Sequence, residues 1–156
     1  MKILYQGSPG AYSHLAAKDL YPEAEIIACK TFDECFRKAE EDKNFKIIIP
    51  ESNRITGNIG IEYLIFKHRL NIYAEHFHKI EHNLLGLPGV KLQDIKNVYS
   101  HAQALSQCSE FIKKNNINEN VRADTAGSAA LIAKNKIKND AAIASKLSAE
   151  IYKLDI

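Results

Sequence analysis

The chain has 156 residues, of which 46% are hydrophobic and 26% charged, and its formal net charge is +2 at pH 7. These values are typical of one globular domain or of two small lobes that share a chain. The nearly balanced charge argues against a nucleic-acid or anionic-membrane partner. No apolar run approaches the roughly 20 residues of a membrane span, and the opening MKILYQGSPG is too short an apolar run for a signal peptide. We therefore expect a cytoplasmic protein.

The cysteines are Cys29, Cys35 and Cys108, an odd number without a CxxC spacing. This pattern predicts neither a disulfide framework nor a thiolate zinc site. Cys108 falls on the apolar side of a predicted helix, and we interpret it as a buried structural thiol.

In the first half of the chain, hydrophobic periodicity predicts alternating strands and helices. Thr31, with Glu34 three residues later, forms a capping-box pattern at the start of one helix. Pro50 is expected to end a buried strand, and the segment ESNRITGN after it is predicted to be a loop. The predicted strands are 2–6, 25–28 and 45–49, and the predicted helices are 12–20, 32–39 and one that ends at Leu64.

The second half continues the alternation. Residues 71–77 are predicted to be extended and residues 115–120 to form a polar turn. Strands followed by helices at this spacing predict an α/β protein with parallel sheets. The predicted strands are 79–87, 95–100, 121–123 and 141–145, and the predicted helices are 103–112, 126–134 and 147–152.

The segment VYSHAQALSQC places polar side chains at the junction between a predicted strand and the helix that follows it. Ser100, His101 and Gln103 lie at this tip, which is where ligands bind in open α/β sheets, beside helix N–H groups that suit an anion. Serine also occurs at such junctions simply as a helix N-cap. Both interpretations of Ser100 stay open at the level of sequence.

Three segments, in this order, resemble the prephenate dehydratase family: YQGSPGAYSH at the start, VYSHAQALSQC in the second half, and AAIAS followed by AEIY near the end. The resemblance covers essentially the whole chain. It implies two small α/β lobes with a cleft between them, similar to type II periplasmic binding proteins. The first lobe would be residues 1–74 and the second residues 75–156.

The resemblance also implies a reaction, the conversion of prephenate to phenylpyruvate in L-phenylalanine biosynthesis. Water and carbon dioxide leave together and aromatisation drives the step, so no cofactor and no metal is expected. The protein must hold carboxylates, orient the ring and help the hydroxyl leave, tasks suited to backbone N–H groups, hydroxyls and amides. The expected partner is this small substrate, and a homodimer is one expected assembly.

Two segments of the first half match the family where it contacts substrate. Gly10, Tyr12 and Ser13 belong to a glycine-rich loop that leads into a helix, although a turn needs glycine in any case. The segment PESNRITG stands where the family carries Pro-Ile-Glu-Asn-Ser-x-x-Gly. Asn53 and Gly57 match that motif, while Ser52 and Arg54 replace its glutamate and serine. Arg54 would offer a guanidinium to a substrate carboxylate.

In the second half, the segment DTAGSA resembles a family loop that closes on the substrate. Thr125 and Ser128 are the candidate hydroxyl donors, and Asp124 or Thr125 could equally be a helix N-cap. His76, His78 and His82 read as HxHxxxH. We expect no metal there, because no carboxylate or cysteine accompanies them and the matching family histidines are not ligands.

The family's Thr-Arg-Phe strand, which carries the threonine usually assigned as proton donor, has no counterpart in this sequence, and neither has its regulatory ACT domain. The catalytic group is therefore unidentified, and the candidates are Ser13, Thr125, Ser128 and His101. For His101 a structural role is as plausible as proton transfer. Two functions stay open: a prephenate dehydratase, or a non-catalytic remnant that binds a small carboxylate in the same cleft.

Overall fold

The computed structural model of the chain describes residues 1–53 and 57–156. The chain divides into two compact units. Unit 1 consists of Met1–Gly7 and Tyr12–His78, and unit 2 consists of Ser8–Ala11 and Lys79–Ile156. The predicted lobes, 1–74 and 75–156, stay a prediction.

Unit 1 contains a parallel three-stranded sheet with the strand order β2-β1-β3. Leu4 on the central strand is fully buried and packs with Cys29, Cys35 and Ala39. A separate two-stranded antiparallel ribbon pairs β4 with β5. The elements of this unit are β1 (Lys2–Gln6), α1 (Tyr12–Leu20), β2 (Glu25–Cys29), α2 (Phe32–Glu41), β3 (Phe45–Ile48), β4 (Ser52–Asn53), β5 (Gly57–Asn58) and α3 (Glu62–Lys67).

Unit 2 contains a mixed four-stranded sheet with the order β6-β9-β7-β8, in which β6 alone runs antiparallel, against β9. The central strand β9 is buried along its whole length. Its residues alternate between two cores, since Ala141 and Ile143 join one cluster and Ala142 and Ala144 the other. The elements are β6 (Asn83–Gly86), β7 (Asn97–Ser100), α4 (Ala102–Gln107), α5 (Ser109–Lys114), β8 (Asn118–Val121), α6 (Thr125–Asn135), β9 (Asp140–Ala144) and α7 (Lys146–Tyr152), with a 3-10 turn at Leu92–Asp94.

The elements with strong local signals agree with the sequence prediction. Strand β1 and helix α1 have the predicted bounds, and Thr31 caps α2 by accepting a hydrogen bond from the backbone N–H of Glu34 at 3.1 Å. The Glu34 carboxylate accepts from the N–H of Lys30 at 2.8 Å rather than from Thr31 itself. The capping box therefore forms with a shift of one residue at its acidic end.

Five predictions about elements are wrong. The strand predicted at 79–87 is only Asn83–Gly86, and its antiparallel pairing with β9 contradicts the expected all-parallel sheet. The polar segment 115–120 contains most of β8, because NENV pairs in register with β7 despite its low apolar content. The helix after the VYSH segment breaks at Cys108 into α4 and α5, and the predicted loop 51–58 contains β4 and β5.

The three cysteines are free thiols. Cys108 is half-buried against the unit 2 core, and burial raises the pKa of its thiol. This environment suits the predicted structural role. Among the residues that the structure describes, none of the helices is both long and apolar enough to cross a bilayer.

Candidate functional site

The site candidates of unit 2 gather at the carboxyl edge of its sheet. Strands β7, β8 and β9 are parallel, and helices α4, α6 and α7 begin directly beyond their ends. His101, Asp124 and Ser145 are the N-caps of these helices. The first N–H groups of a helix lack acceptors within the helix and carry partial positive charge. This edge of the sheet is therefore suited to an anionic ligand.

Ser100 connects the strand ends at this edge. Its side chain is fully buried, and its Oγ donates a hydrogen bond to the Ile143 carbonyl at 2.6 Å. Its own carbonyl accepts from the N–H of Arg122 at 2.8 Å. The N-cap interpretation of Ser100 is wrong, because His101 caps α4. With its only proton used internally, Ser100 holds β7 against β9, and its predicted substrate contact stays a prediction.

His101 presents one ring nitrogen at this edge. Its Nδ1 accepts a hydrogen bond from the backbone N–H of Gln103 at 3.3 Å, and the side chain is otherwise exposed. An Nδ1 that accepts requires the neutral ring to carry its proton on Nε2. The cap therefore fixes a tautomer whose Nε2–H is a donor. Gln103, one residue into the helix, is half-buried.

The start of α6 is organised by Asp124. Its Oδ1 accepts from the N–H of Gly127 at 2.5 Å, which confirms the predicted cap at Asp124. Ser128 is buried, and its Oγ donates to the Asp124 carbonyl at 2.8 Å. The predicted substrate contact of Ser128 stays a prediction. Thr125 is the first helical residue, half-buried, and its hydroxyl makes no hydrogen bond within the described part of the chain.

The loop Ser8–Ala11 belongs to this edge as well. The Gly10 carbonyl accepts hydrogen bonds from Ser145 Oγ at 2.5 Å and from Ser148 Oγ at 3.1 Å. The Tyr152 hydroxyl donates to the Pro9 carbonyl at 2.9 Å. Both serines are buried, so these bonds form away from competing water. Helix α7 thereby fixes the path of the glycine-rich loop.

Gly10 must be glycine in this arrangement. Its φ is +94°, a conformation that L side chains rarely adopt, and an added Cβ would lie 2.4 Å from Ser148 Oγ. The family resemblance implied a substrate contact at Gly10. The structure shows that its carbonyl serves internal bonds, and the predicted substrate contact stays a prediction.

The remaining candidates lie in unit 1. Tyr12 and Ser13 are the first two residues of α1 and are half-buried. Asn53 and Gly57 are register partners in the β4–β5 ribbon, where Gly57 has a φ of +77°. Arg54 lies outside the described residues. The substrate contacts predicted for these residues stay predictions.

Comparison with known proteins agrees with this architecture. The sequence matches the family model described as "Prephenate dehydratase" over residues 3–156. The chain belongs to the prephenate dehydratase family. The resemblance predicted from the VYSHAQALSQC segment and its two companions is thereby confirmed.

One relative in this family is "Arogenate dehydratase/prephenate dehydratase 6, chloroplastic" from Arabidopsis thaliana. It is 40% identical over 159 residues, a stretch that includes 100% of this chain and 38% of the relative. The chain thus spans less than half the length of this curated relative.

Two solved structures cover nearly all of the chain. One, described as "GqqA- a novel type of quorum quenching acylases", has a TM-score of 0.89 at 32% identity and covers 100% of this chain and 57% of that chain. The other is the prephenate dehydratase from Staphylococcus aureus, with a TM-score of 0.82 at 26% identity, covering 99% of this chain and 58% of that one. These neighbours confirm the predicted fold class, α/β and similar to type II periplasmic binding proteins.

Sequence reasoning did not assign the side chains that hold the glycine-rich loop of this prephenate dehydratase family member. Ser145, Ser148 and Tyr152 all lie in the AIAS and AEIY segments that carry the family resemblance. The sequence did contain one local signal: Ser145 and Ser148 are three residues apart, the spacing between an N-cap and the third residue of its helix. Their bonds to Gly10 are long-range contacts that local patterns do not reveal.

Proposed function

We propose that this chain carries prephenate dehydratase activity, the decarboxylating dehydration of prephenate to phenylpyruvate in L-phenylalanine biosynthesis, in the cytoplasm. The supporting observation is the family match over residues 3–156, in a chain whose unit 2 gathers helix N-termini and hydrogen-bond donors at one sheet edge. The 40% identical Arabidopsis relative is named for both prephenate and arogenate. Prephenate is the primary proposed substrate, and arogenate is the alternative to test.

The reaction defines what the protein must supply. The bond between the ring and its carboxylate breaks to release carbon dioxide, and its electron pair moves through the ring as the hydroxyl on the opposite carbon leaves. One proton is needed to release that hydroxyl as water, and the product keeps the carboxylate of its side chain. The catalyst therefore needs an anion site for the retained carboxylate and a donor near the leaving hydroxyl.

The start of α6 is the proposed anion site. The Asp124 cap satisfies the N–H of Gly127, and the preceding N–H groups of this first turn have no acceptor within the helix. Thr125 adds a hydroxyl at the first helical position. The dipole of this helix favours negative charge at this end, where the Asp124 carboxylate already lies, so the Thr125 hydroxyl and the remaining N–H groups must bind the substrate carboxylate against its repulsion.

His101 is proposed to donate a hydrogen bond to the leaving hydroxyl, while solvent water supplies the proton that releases it as water. Its Nδ1 is occupied by the N–H of Gln103, so its neutral form offers Nε2–H. Because Ser100 and Val121 are register partners, the strands that lead to α4 and α6 end side by side. The unit 1 residues Tyr12, Ser13, Asn53, Arg54 and Gly57 are further proposed substrate contacts, and Gln103 is proposed to orient the substrate through its amide.

A turnover assay tests the proposal. The purified chain is incubated with prephenate near neutral pH and phenylpyruvate is followed by its ultraviolet absorbance in alkali, with a protein-free reaction to subtract spontaneous decay. We expect turnover above this background. A parallel reaction with arogenate, followed by phenylalanine formation, distinguishes the two substrates.

Two results without turnover are informative. A folded chain that binds prephenate, as seen by calorimetry, but forms no product would support the non-catalytic carboxylate-binding alternative. A folded chain that neither binds nor converts either compound would contradict the proposed function.

A further inference from the structure

Three side chains of unit 1 that are able to bind a metal ion lie together outside the candidate substrate site. Asp19 is near the end of α1, and His76 and His78 lie on the segment between α3 and β6. One ligand atom from each lies within 4.8 Å of the other two. His78 Nδ1 is 3.2 Å from Asp19 Oδ2, and the two histidine rings are 6.0 Å apart.

The sequence argued against a metal here on two grounds: no carboxylate or cysteine accompanies the histidines in the chain, and the matching histidines of the family are not ligands. The fold removes the first objection, since α1 brings Asp19 to His78 from far away in sequence. His82, the third histidine of the pattern, is instead engaged in unit 2, where its Nε2 lies 2.7 Å from Gln107 Oε1. The donor set is therefore two imidazoles and one carboxylate.

We propose that Asp19, His76 and His78 bind one divalent transition-metal ion of the zinc class. Imidazole nitrogen with carboxylate oxygen suits Zn²⁺ and its neighbours, whereas Mg²⁺ and Ca²⁺ prefer sites built from oxygen alone. Three protein ligands leave the fourth tetrahedral position to water.

The distances are compatible with this site. Ligand atoms about 2.0–2.1 Å from a tetrahedral zinc lie about 3.3 Å from one another. The Asp19–His78 pair already meets that separation at 3.2 Å. Asp19 and His76 are exposed, so rotation of their side chains can close the remaining gaps without disturbing the core. His78 is more enclosed, with 19% of its side chain exposed and its ring tilted against Tyr12.

The alternative is a surface ion pair between Asp19 and His78 that holds no metal. Such pairs contribute little to stability, and they would respond to salt rather than to zinc. A bound ion would instead cross-link the 76–78 segment to α1. That segment belongs to neither a helix nor a strand. Because ligand binding to the folded state adds to stability, zinc is expected to raise the Tm of the chain.

Zinc titration of the chelator-treated chain by calorimetry is the direct test. We expect one site per chain, no binding of Mg²⁺ at the same concentration, and at least tenfold weaker zinc binding in each of Asp19→Asn, His76→Ala and His78→Ala. His82→Ala is the matched control, because it removes a histidine of the same sequence pattern, and its zinc affinity is expected to stay within twofold.

Two outcomes would overturn the proposal. One is zinc binding that is unchanged in the Asp19, His76 and His78 variants. The other is a Co²⁺ complex with a thiolate charge-transfer band, which would assign the metal to cysteine. Circular dichroism of each variant verifies folding, and Asp19→Asn keeps the shape of an exposed side chain, so at least one variant is expected to remain informative.

Discussion

At the scale of single residues, the most constrained position is Gly10. Its carbonyl accepts two hydroxyl hydrogen bonds from the start of α7, and its Cα lies against that helix. The backbone conformation and the close approach independently require glycine. The local sequence could predict a glycine turn here. That helix α7 packs against this turn is a long-range contact, which only the structure shows.

Gly10→Ala is expected to lower the free energy of unfolding by roughly 2–4 kcal/mol, from the strain of a positive φ together with overpacking. Gly60→Ala is the control, because Gly60 has a φ of +77° but nothing within 4 Å of the added Cβ. Its cost should be only the backbone strain, about 1–2 kcal/mol. Urea unfolding curves of both variants compare the costs, and equal losses would contradict the packing argument.

His101→Asn separates capping from chemistry at one position. Asparagine is a good N-cap, so the free energy of unfolding is expected to change by less than about 0.5 kcal/mol. It offers no imidazole Nε2–H, so kcat for prephenate should fall at least tenfold with KM little changed. Unfolding curves and steady-state kinetics measure the two effects. An unchanged kcat would limit His101 to its structural role.

At the scale of elements, α2 shows how far local signals reach. Its cap, its acidic first turn and its apolar face could all be predicted, because they involve residues within one or two turns of each other. Strand β8 could not, because NENV has little β propensity and is held by its pairing with β7. Strand β6 was mispredicted in length and direction for the same reason, since its pairing with β9 determines both.

Helix α2 also gives unit 1 a pH dependence. The hydrogen bond from Lys38, at 2.7 Å, and that from the N–H of Lys30 hold the pKa of Glu34 below its ordinary value of 4.5. A carboxyl group whose pKa is lower in the folded than in the unfolded state stabilises the folded state at any pH above the unfolded-state pKa. This stabilisation is lost as the pH falls through the folded-state pKa. Acidification from pH 5 toward pH 3 should therefore weaken this helix.

The Glu34→Gln variant is expected to lose this part of the acid dependence and to have a flatter profile of unfolding free energy between pH 5 and 3. Glu23→Gln, at an exposed position before β2, controls for the removal of one negative charge. Urea unfolding at several pH values gives both profiles. Identical slopes for the two variants would show that Glu34 makes no special contribution.

At the scale of the whole molecule, the family and fold class could be predicted from three short segments, which lie at strand and helix ends of the structure. The composition of the candidate site could be predicted only in part. Thr125 and His101 lie at the edge expected for them, whereas Ser100 and Ser128 use their protons internally. The role of Asp19 beside His78 depends on tertiary packing, which the sequence pattern could not show.

The central claim is that substrate binds at the carboxyl edge of the unit 2 sheet. A titration of the ¹⁵N-labelled chain with prephenate, followed by amide NMR shifts, tests it most directly. We predict the largest shifts at Ser8–Ala11, at His101–Gln103 and at the first turn of α6. Saturable shifts confined to other parts of the chain, or none at millimolar prephenate, would contradict the account.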